Sequence, residues 1–182
     1  ISSDEAVATV STDGKITAVS TGTADITVKL GTEEVAEKIV VNVASPSPKP
    51  ATTAPVPTVD AEDVISLFSN AYNNVSVDTW NTGWLYSTAV LLDMQIADDD
   101  VKRYTDLNFV GIEFATPTID ATNMTHFHID IWTPDPTAAP AVFKVMLNDF
   151  GADGVYGGDD DSSHELSFSS PVLQTETWVS LD

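Results

Sequence analysis

In the first 44 residues apolar and polar side chains alternate with a period of two, the rhythm of half-buried β-strands. Ile26, Val28 and Leu30 alternate with Thr27 and Lys29, and strand-like runs cover residues 6–10, 15–19, 24–30 and 36–43. Turn formers stand between them. Thr12-Asp13-Gly14 carries an Asp-Gly pair suited to a tight hairpin, and Thr21-Gly22-Thr23 marks the next reversal.

A second patterned stretch begins after Thr58. Residues 125–133 put Phe127, Ile129 and Ile131 on one side and His126, His128, Asp130 and Trp132 on the other. Residues 141–150 put Phe143, Val145 and Leu147 against Lys144, Met146 and Asn148. Consecutive strands with one apolar side predict an antiparallel sheet packed on a second sheet. Residues 64–68, 89–93, 109–114, 165–169 and 178–181 are further candidate strands, while 61–70 reads as either helix or strand. The predicted class is all-β, with a jelly-roll-type β-sandwich over residues 59–182.

Residues 45–58 interrupt the pattern with Pro46, Pro48, Pro50, Pro55 and Pro57 among Ser, Thr and Ala. Proline fixes φ and offers no amide donor, so this stretch predicts an extended tether between two domains, residues 1–44 and 59–182. Secreted multi-module proteins acting on polysaccharides often use such tethers. The expected setting is secreted or cell-surface, and the absence of cysteine fits a bacterial export product.

Charge narrows the partners. With 28 acidic against 7 basic residues the net charge is −21, which disfavours nucleic acid and anionic lipid but leaves neutral sugars and divalent cations. Disulfides and thiolate chemistry are excluded. No apolar run approaches the roughly 20 residues needed to span a bilayer, so no membrane insertion is expected.

Candidate binding residues concentrate in Asp78-Thr79-Trp80-Asn81-Thr82-Gly83-Trp84-Leu85-Tyr86. A flat indole stacks on the apolar C–H face of a pyranose, while amide and carboxylate groups bind its hydroxyls. Trp80, Trp84 and Tyr86 are the expected stacking residues, with Asn81 and Glu113 to orient the sugar and Trp132 to extend the face. The competing role for either tryptophan of the loop is to close one end of the sandwich core. Trp132 and Trp178 are each divided between extending the stacking face and lying covered by a loop.

The glycine-rich acidic stretch from Asp149 through Asp153 to Asp159, Asp160 and Asp161 offers oxygen ligands on adaptable backbone, the chemistry of calcium. It fails the EF-hand pattern because Gly151 stands where a second acidic ligand belongs. A solvated loop is the alternative. His126 and His128 share a strand face and would need a third ligand such as His164 to hold zinc; a polar face with His128 bonded to Asp130 is favoured. Catalysis is not expected. Nucleophile-elbow, P-loop and zinc-protease motifs are absent, and a carboxylate pair always turns up among so many acids.

Two resemblances sharpen these readings. Residues 2–10, then Asp13-Gly14-Lys15-Ile16-Thr17-Ala18-Val19, then Gly22-Thr23-Ala24-Asp25-Ile26-Thr27, resemble the bacterial immunoglobulin-like group 2 repeat. That implies a truncated immunoglobulin-like sandwich over residues 1–44, lacking its N-terminal strands and acting as spacer or adhesion module. Residues 63–72, 104–114, Ile119-Asp120-Ala121 and 126–134 resemble non-catalytic β-sandwich modules attached to secreted glycoside hydrolases, including laminarinase-like enzymes of marine Bacteroidetes. This second resemblance implies a carbohydrate-binding module, C-terminally truncated, which tethers a catalytic module on the same full-length chain to a polysaccharide. A neutral β-glucan such as laminarin is the first candidate. Where that family often has Asp after Phe-Ser this chain has Asn70, which weakens any calcium site built there. The alternative is a calcium-dependent adhesion module without sugar specificity.

Overall fold

A computed structural model describes residues 1–45 and 47–182, so Pro46 of the expected tether lies outside the described residues. The chain divides into two compact units, Ile1–Pro48 and Lys49–Asp182, and both are all-β apart from one 3-10 turn at Ala61–Asp63.

In the first unit β1 (Ala8–Val10) and β2 (Ile16–Ala18) form the hairpin that Asp13-Gly14 predicts. Ser11 closes its turn: the Gly14 amide donates to the Ser11 carbonyl and the Lys15 amide to the Ser11 hydroxyl, both at 3.0 Å. The expected run over 24–30 is divided. β3 (Gly22–Ile26) pairs antiparallel with β6 (Ile39–Val43), while β4 (Lys29–Leu30) and β5 (Glu33–Glu34) make a separate short hairpin with Gly31 between them. Val7, Ala8 and Ala24 form the core with Val41 and Val43 against it. Gly22 is required there. Its φ is +152°, and a methyl group added to it would lie 2.7 Å from Val7 Cγ2. Leu30, Val35, Ile39 and Val40 of this unit are exposed.

The second unit is built from three antiparallel pairs. β7 (Val90–Ile96) and β8 (Asp99–Thr105) form one hairpin, and β10 (Phe143–Asp149) and β11 (Ser162–Phe168) another. β9 (Ile129–Ile131) pairs with β12 (Val179–Leu181), which encloses the β10–β11 hairpin in sequence. Nesting of this kind is the connection used by Greek-key and jelly-roll sandwiches.

Two expected strands are not formed. Residues 64–68 and 109–114 join neighbours only through single bridges, Ser66 to Asn74 and Glu113 to Thr79. Burial in this unit falls on Ile96, Leu173 and Leu181, with Ser66 buried through a hydroxyl that donates to Asn74 Oδ1 at 2.6 Å. The proline-rich residues 49–58 are part of this unit, and the Thr52 carbonyl accepts the Trp178 indole N–H at 2.9 Å.

Candidate functional site

The aromatic loop is fastened at its base and its middle. Asp78 Oδ2 accepts the amides of Ala115 and Thr116 at 2.7 and 3.0 Å, and Thr79 exchanges backbone hydrogen bonds with Glu113. Thr79 Oγ1 donates to the Asn81 carbonyl and accepts the Asn81 amide. Both ends of the Asn81 side chain are used, Nδ2 donating to the Ala89 carbonyl and Oδ1 accepting the Gly83 amide, each at 3.0 Å. Asn81 therefore shapes the loop, and its amide is already committed before any sugar arrives.

Beyond Gly83 the chain turns outward. Ser87 donates from its hydroxyl to the Phe109 carbonyl, and Asn108 Nδ2 donates to the Tyr86 carbonyl, both at 2.8 Å. Between the Gly83 amide tie and these two, Trp84, Leu85 and Tyr86 are 51%, 77% and 80% exposed. Tyr86 has φ +71°, a left-handed conformation that is costly for an aromatic residue and persists only where neighbours impose it. The result is an aromatic tip on a pinned loop, with the exposed Glu113 carboxylate on the bridged segment at the loop's base.

Trp80 is placed differently from Trp84. It is half-buried, its ring meets Phe68 edge-on at 5.5 Å, and Lys102 Nζ lies 5.0 Å from the centroids of both rings. Lys102 comes from β8 and also pairs with Asp93 of β7 at 2.7 Å. The Trp80 carbonyl accepts the Tyr104 hydroxyl at 2.7 Å. Burial, with the Asp93 charge adding to it, pushes the Tyr104 phenol up to about 12, so it stays protonated as a donor. An open groove of about 360 Å³ runs beside this cluster, between Phe68, Asp93 and Lys102. Trp132 and Trp178 are half-buried just beyond β9 and just before β12, on other elements than the aromatic tip.

In the acidic loop the carboxylates cap backbone amides. Asp149 Oδ1 accepts from Gly151, Asp153 Oδ1 from Val155, Asp160 Oδ2 from Ala152 and Asp161 Oδ2 from Gly157, at 2.6–3.0 Å. Asp159 is exposed. Asp161 Oδ1 is buried with no partner, and a methyl group on Gly158 would lie 2.8 Å from Asp160 Oδ1 and 3.5 Å from Asp153 Oδ2. Among the described residues, no three His, Asp or Glu side chains are grouped closely enough to hold a metal ion. Tyr156, exposed and edge-on to Phe150, borders an open groove of about 440 Å³ with Met146, Asn148 and Ser163.

His128 bonds mainly to Asp182 rather than Asp130. Its Nδ1 is 2.7 Å from Asp182 Oδ1, while Nε2 is 3.5 Å from Asp130 Oδ2. The hydrogen bond to Asp182 raises its pKa against an opposing effect of burial, with the Asp130 charge helping. His126 shares a hydrogen bond with Thr125 at 2.8 Å, and His164 sits opposite Leu147 on the β10–β11 hairpin.

Sequence reasoning missed Lys102 and Phe68, the two groups that cover Trp80. Asp93 and Lys102 would have been found opposite each other had Ala97-Asp98 been read as a hairpin turn.

Residues 1–40 match the family model described as Bacterial Ig-like domain (group 2). No curated protein and no solved structure matches the chain. The match suggests a surface or adhesion-type module, and among the described residues no helix is long and apolar enough to cross a membrane.

Proposed function

We propose that the second unit is a non-catalytic carbohydrate-binding module. In this reading it holds a polysaccharide-degrading enzyme, carried on the same full-length secreted bacterial chain, against its substrate. The observation that carries it is the adjacent exposure of Trp84 and Tyr86 on a loop tied before them through the Thr82 and Gly83 amides and after them at the Tyr86 carbonyl and the Ser87 hydroxyl. A ring pair on a fixed loop loses little conformational freedom when a sugar stacks on it. Glu113 and the polar groups around the loop are the hydroxyl partners. The strongly acidic chain repels uronate polymers, which favours a neutral β-glucan such as laminarin.

With Trp80 capped by Lys102, the contact is with one or two sugar rings of a single soluble chain rather than with an ordered array of chains. Affinity per site is then modest, and the gain comes from raising the effective concentration of the attached enzyme at its polymer.

The test is affinity electrophoresis of the full chain in gels containing laminarin, mixed-linkage β-glucan or xylan. Retardation by laminarin is expected, and Trp84→Ala/Tyr86→Ala should abolish it. Equal retardation of the double variant, or none in any gel, rules the reading out.

A second reading is a calcium-stiffened surface or adhesion module with no sugar specificity. It is favoured by the orphan Asp161 Oδ1, with Asp153 and Asp160 carried on the same loop. Asp149 and Asp159 would complete the acidic ligand set. It requires that calcium raise the melting temperature and a chelator reverse this, with no gel retardation.

A further inference from the structure

Gly111 lies buried beneath the aromatic loop, its carbonyl accepting the Thr82 amide at 3.1 Å. A methyl group built on it would lie 2.8 Å from both Cζ2 and Cη2 of Trp84 and 2.6 Å from Thr82 Oγ1, closer than real carbon atoms approach. Thr82 Oγ1 is itself buried with no partner, so the indole edge and this hydroxyl fill the space a side chain would need.

Backbone conformation is not what demands glycine here. Gly83 in the same loop has φ +63°, whereas Gly111 is outside the left-handed region and its backbone is one that alanine adopts. What glycine supplies at 111 is room. The six-membered edge of the Trp84 indole occupies that notch, while the residue as a whole stays half-exposed. A half-exposed indole with no such seat exchanges among rotamers, and only the fraction in the competent orientation binds.

We propose that Gly111 is the positioning residue of the aromatic face, fixing Trp84 in one orientation by presenting a notch in place of a side chain. Its consequence for binding rests on the carbohydrate reading above. Its consequence for the ring does not. The clash introduced by alanine falls on two side chains, the Thr82 hydroxyl and the far edge of the indole, and side chains swing away more readily than the backbone moves. Gly111→Ala therefore re-aims the indole and leaves the strand pairs in place.

The experiment compares the wild-type full chain with Gly111→Ala, Trp84→Ala and the double variant. The indole N–H resonance of Trp84, identified by its loss in Trp84→Ala, should shift in Gly111→Ala while those of Trp80, Trp132 and Trp178 hold. Laminarin affinity in gels should fall about three- to tenfold in Gly111→Ala, as it does in Trp84→Ala, with no further loss in the double variant. An unmoved Trp84 resonance overturns the proposal. So does wild-type binding by Gly111→Ala when Trp84→Ala has lost it. If all four proteins migrate alike, the carbohydrate reading falls and the indole resonance alone decides the role of Gly111. Should Gly111→Ala fail to fold, Thr82→Ala is added to remove the nearer clash: recovery only once Trp84→Ala is also present supports the notch, and recovery with Trp84 intact, or no recovery with both, overturns it.

Discussion

Replacing Lys102 with methionine tests whether Trp80 is a covered ring, because methionine keeps most of the aliphatic stem and removes only the charge. The ammonium touches two rings at 5.0 Å and one carboxylate at 2.7 Å. These contacts differ in worth. The Lys102 side chain is 17% exposed but Asp93 is 73% exposed, so water screens the ion pair and it contributes about 0–1 kcal/mol. Each cation–π contact contributes about 0.5–1 kcal/mol, rising toward 2 as water is excluded. Lys102→Met should then cost the second unit about 2 kcal/mol, a fall in Tm on the order of 6 °C. Asp93→Asn, which leaves both ring contacts, should cost under about 1 kcal/mol. Urea unfolding followed by tryptophan fluorescence measures both, and a Trp80→Leu background closes a double-mutant cycle. If Lys102→Met costs no more than Asp93→Asn, or the same with and without Trp80, the ammonium is an ordinary surface ion and Trp80 is open to ligand.

Two other outcomes follow from single contacts. His128 has a folded pKa raised above its ordinary 6.5, so its pairing with Asp182 and Asp130 stabilises fully below about 6.5 and is lost as pH rises through the raised value. His128→Gln should remove that part of the Tm profile, and identical profiles for wild type and variant would refute the pairing. Gly22→Ala forces a side chain onto a φ of +152° and against Val7, so the first unit should lose more than about 1 kcal/mol. Limited proteolysis would detect this as faster cleavage within residues 1–45, and unchanged cleavage counts against the close approach.

Period-two alternation located the strands whose two sides differ in exposure. The run around Ile26 became β3 because alternate positions meet a core, whereas in β10 the alternation is confined to half-buried Phe143 and Val145 and the expected inward Leu147 is exposed. Asp13-Gly14 specified a hairpin through a conformation that Gly14 adopts at φ +87°, a purely local cause. The apolar runs at 64–68 and 109–114 carried no such information: only Ser66 and Gly111 in them are buried, Phe68, Phe109 and Ile112 are exposed, and each run is a connection held by a single bridge. β8 was not among the expected strands: it opens on Asp99 and Asp100, a residue type depleted in strands. Its turn is made by Ala97 at φ +53°, a residue with no turn preference of its own.

At the candidate site, the open tip was legible from Trp-Leu-Tyr following a glycine, where no alternation offers a core position. The difference between Trp80 and Trp84 was not. It depends on a lysine arriving from β8 and a notch arriving with Gly111, both set by tertiary register. Asn81 likewise has the composition of a sugar ligand, and only the positions of Ala89 and Gly83 reveal its use within the loop.

The enclosure of β10–β11 by β9 and β12 orders events in time. Asp130 and Ser180 are partners across 50 positions, so Ile129–Ile131 emerges from the ribosome long before the strand that will satisfy its amides. The inner hairpin is complete earlier, and by drawing Phe143 to Phe168 it shortens the segment left to close. Halving that span saves about 0.6 kcal/mol of closure entropy, roughly a threefold gain in closing rate. A nascent chain would therefore carry this outer pair unzipped and fasten it last.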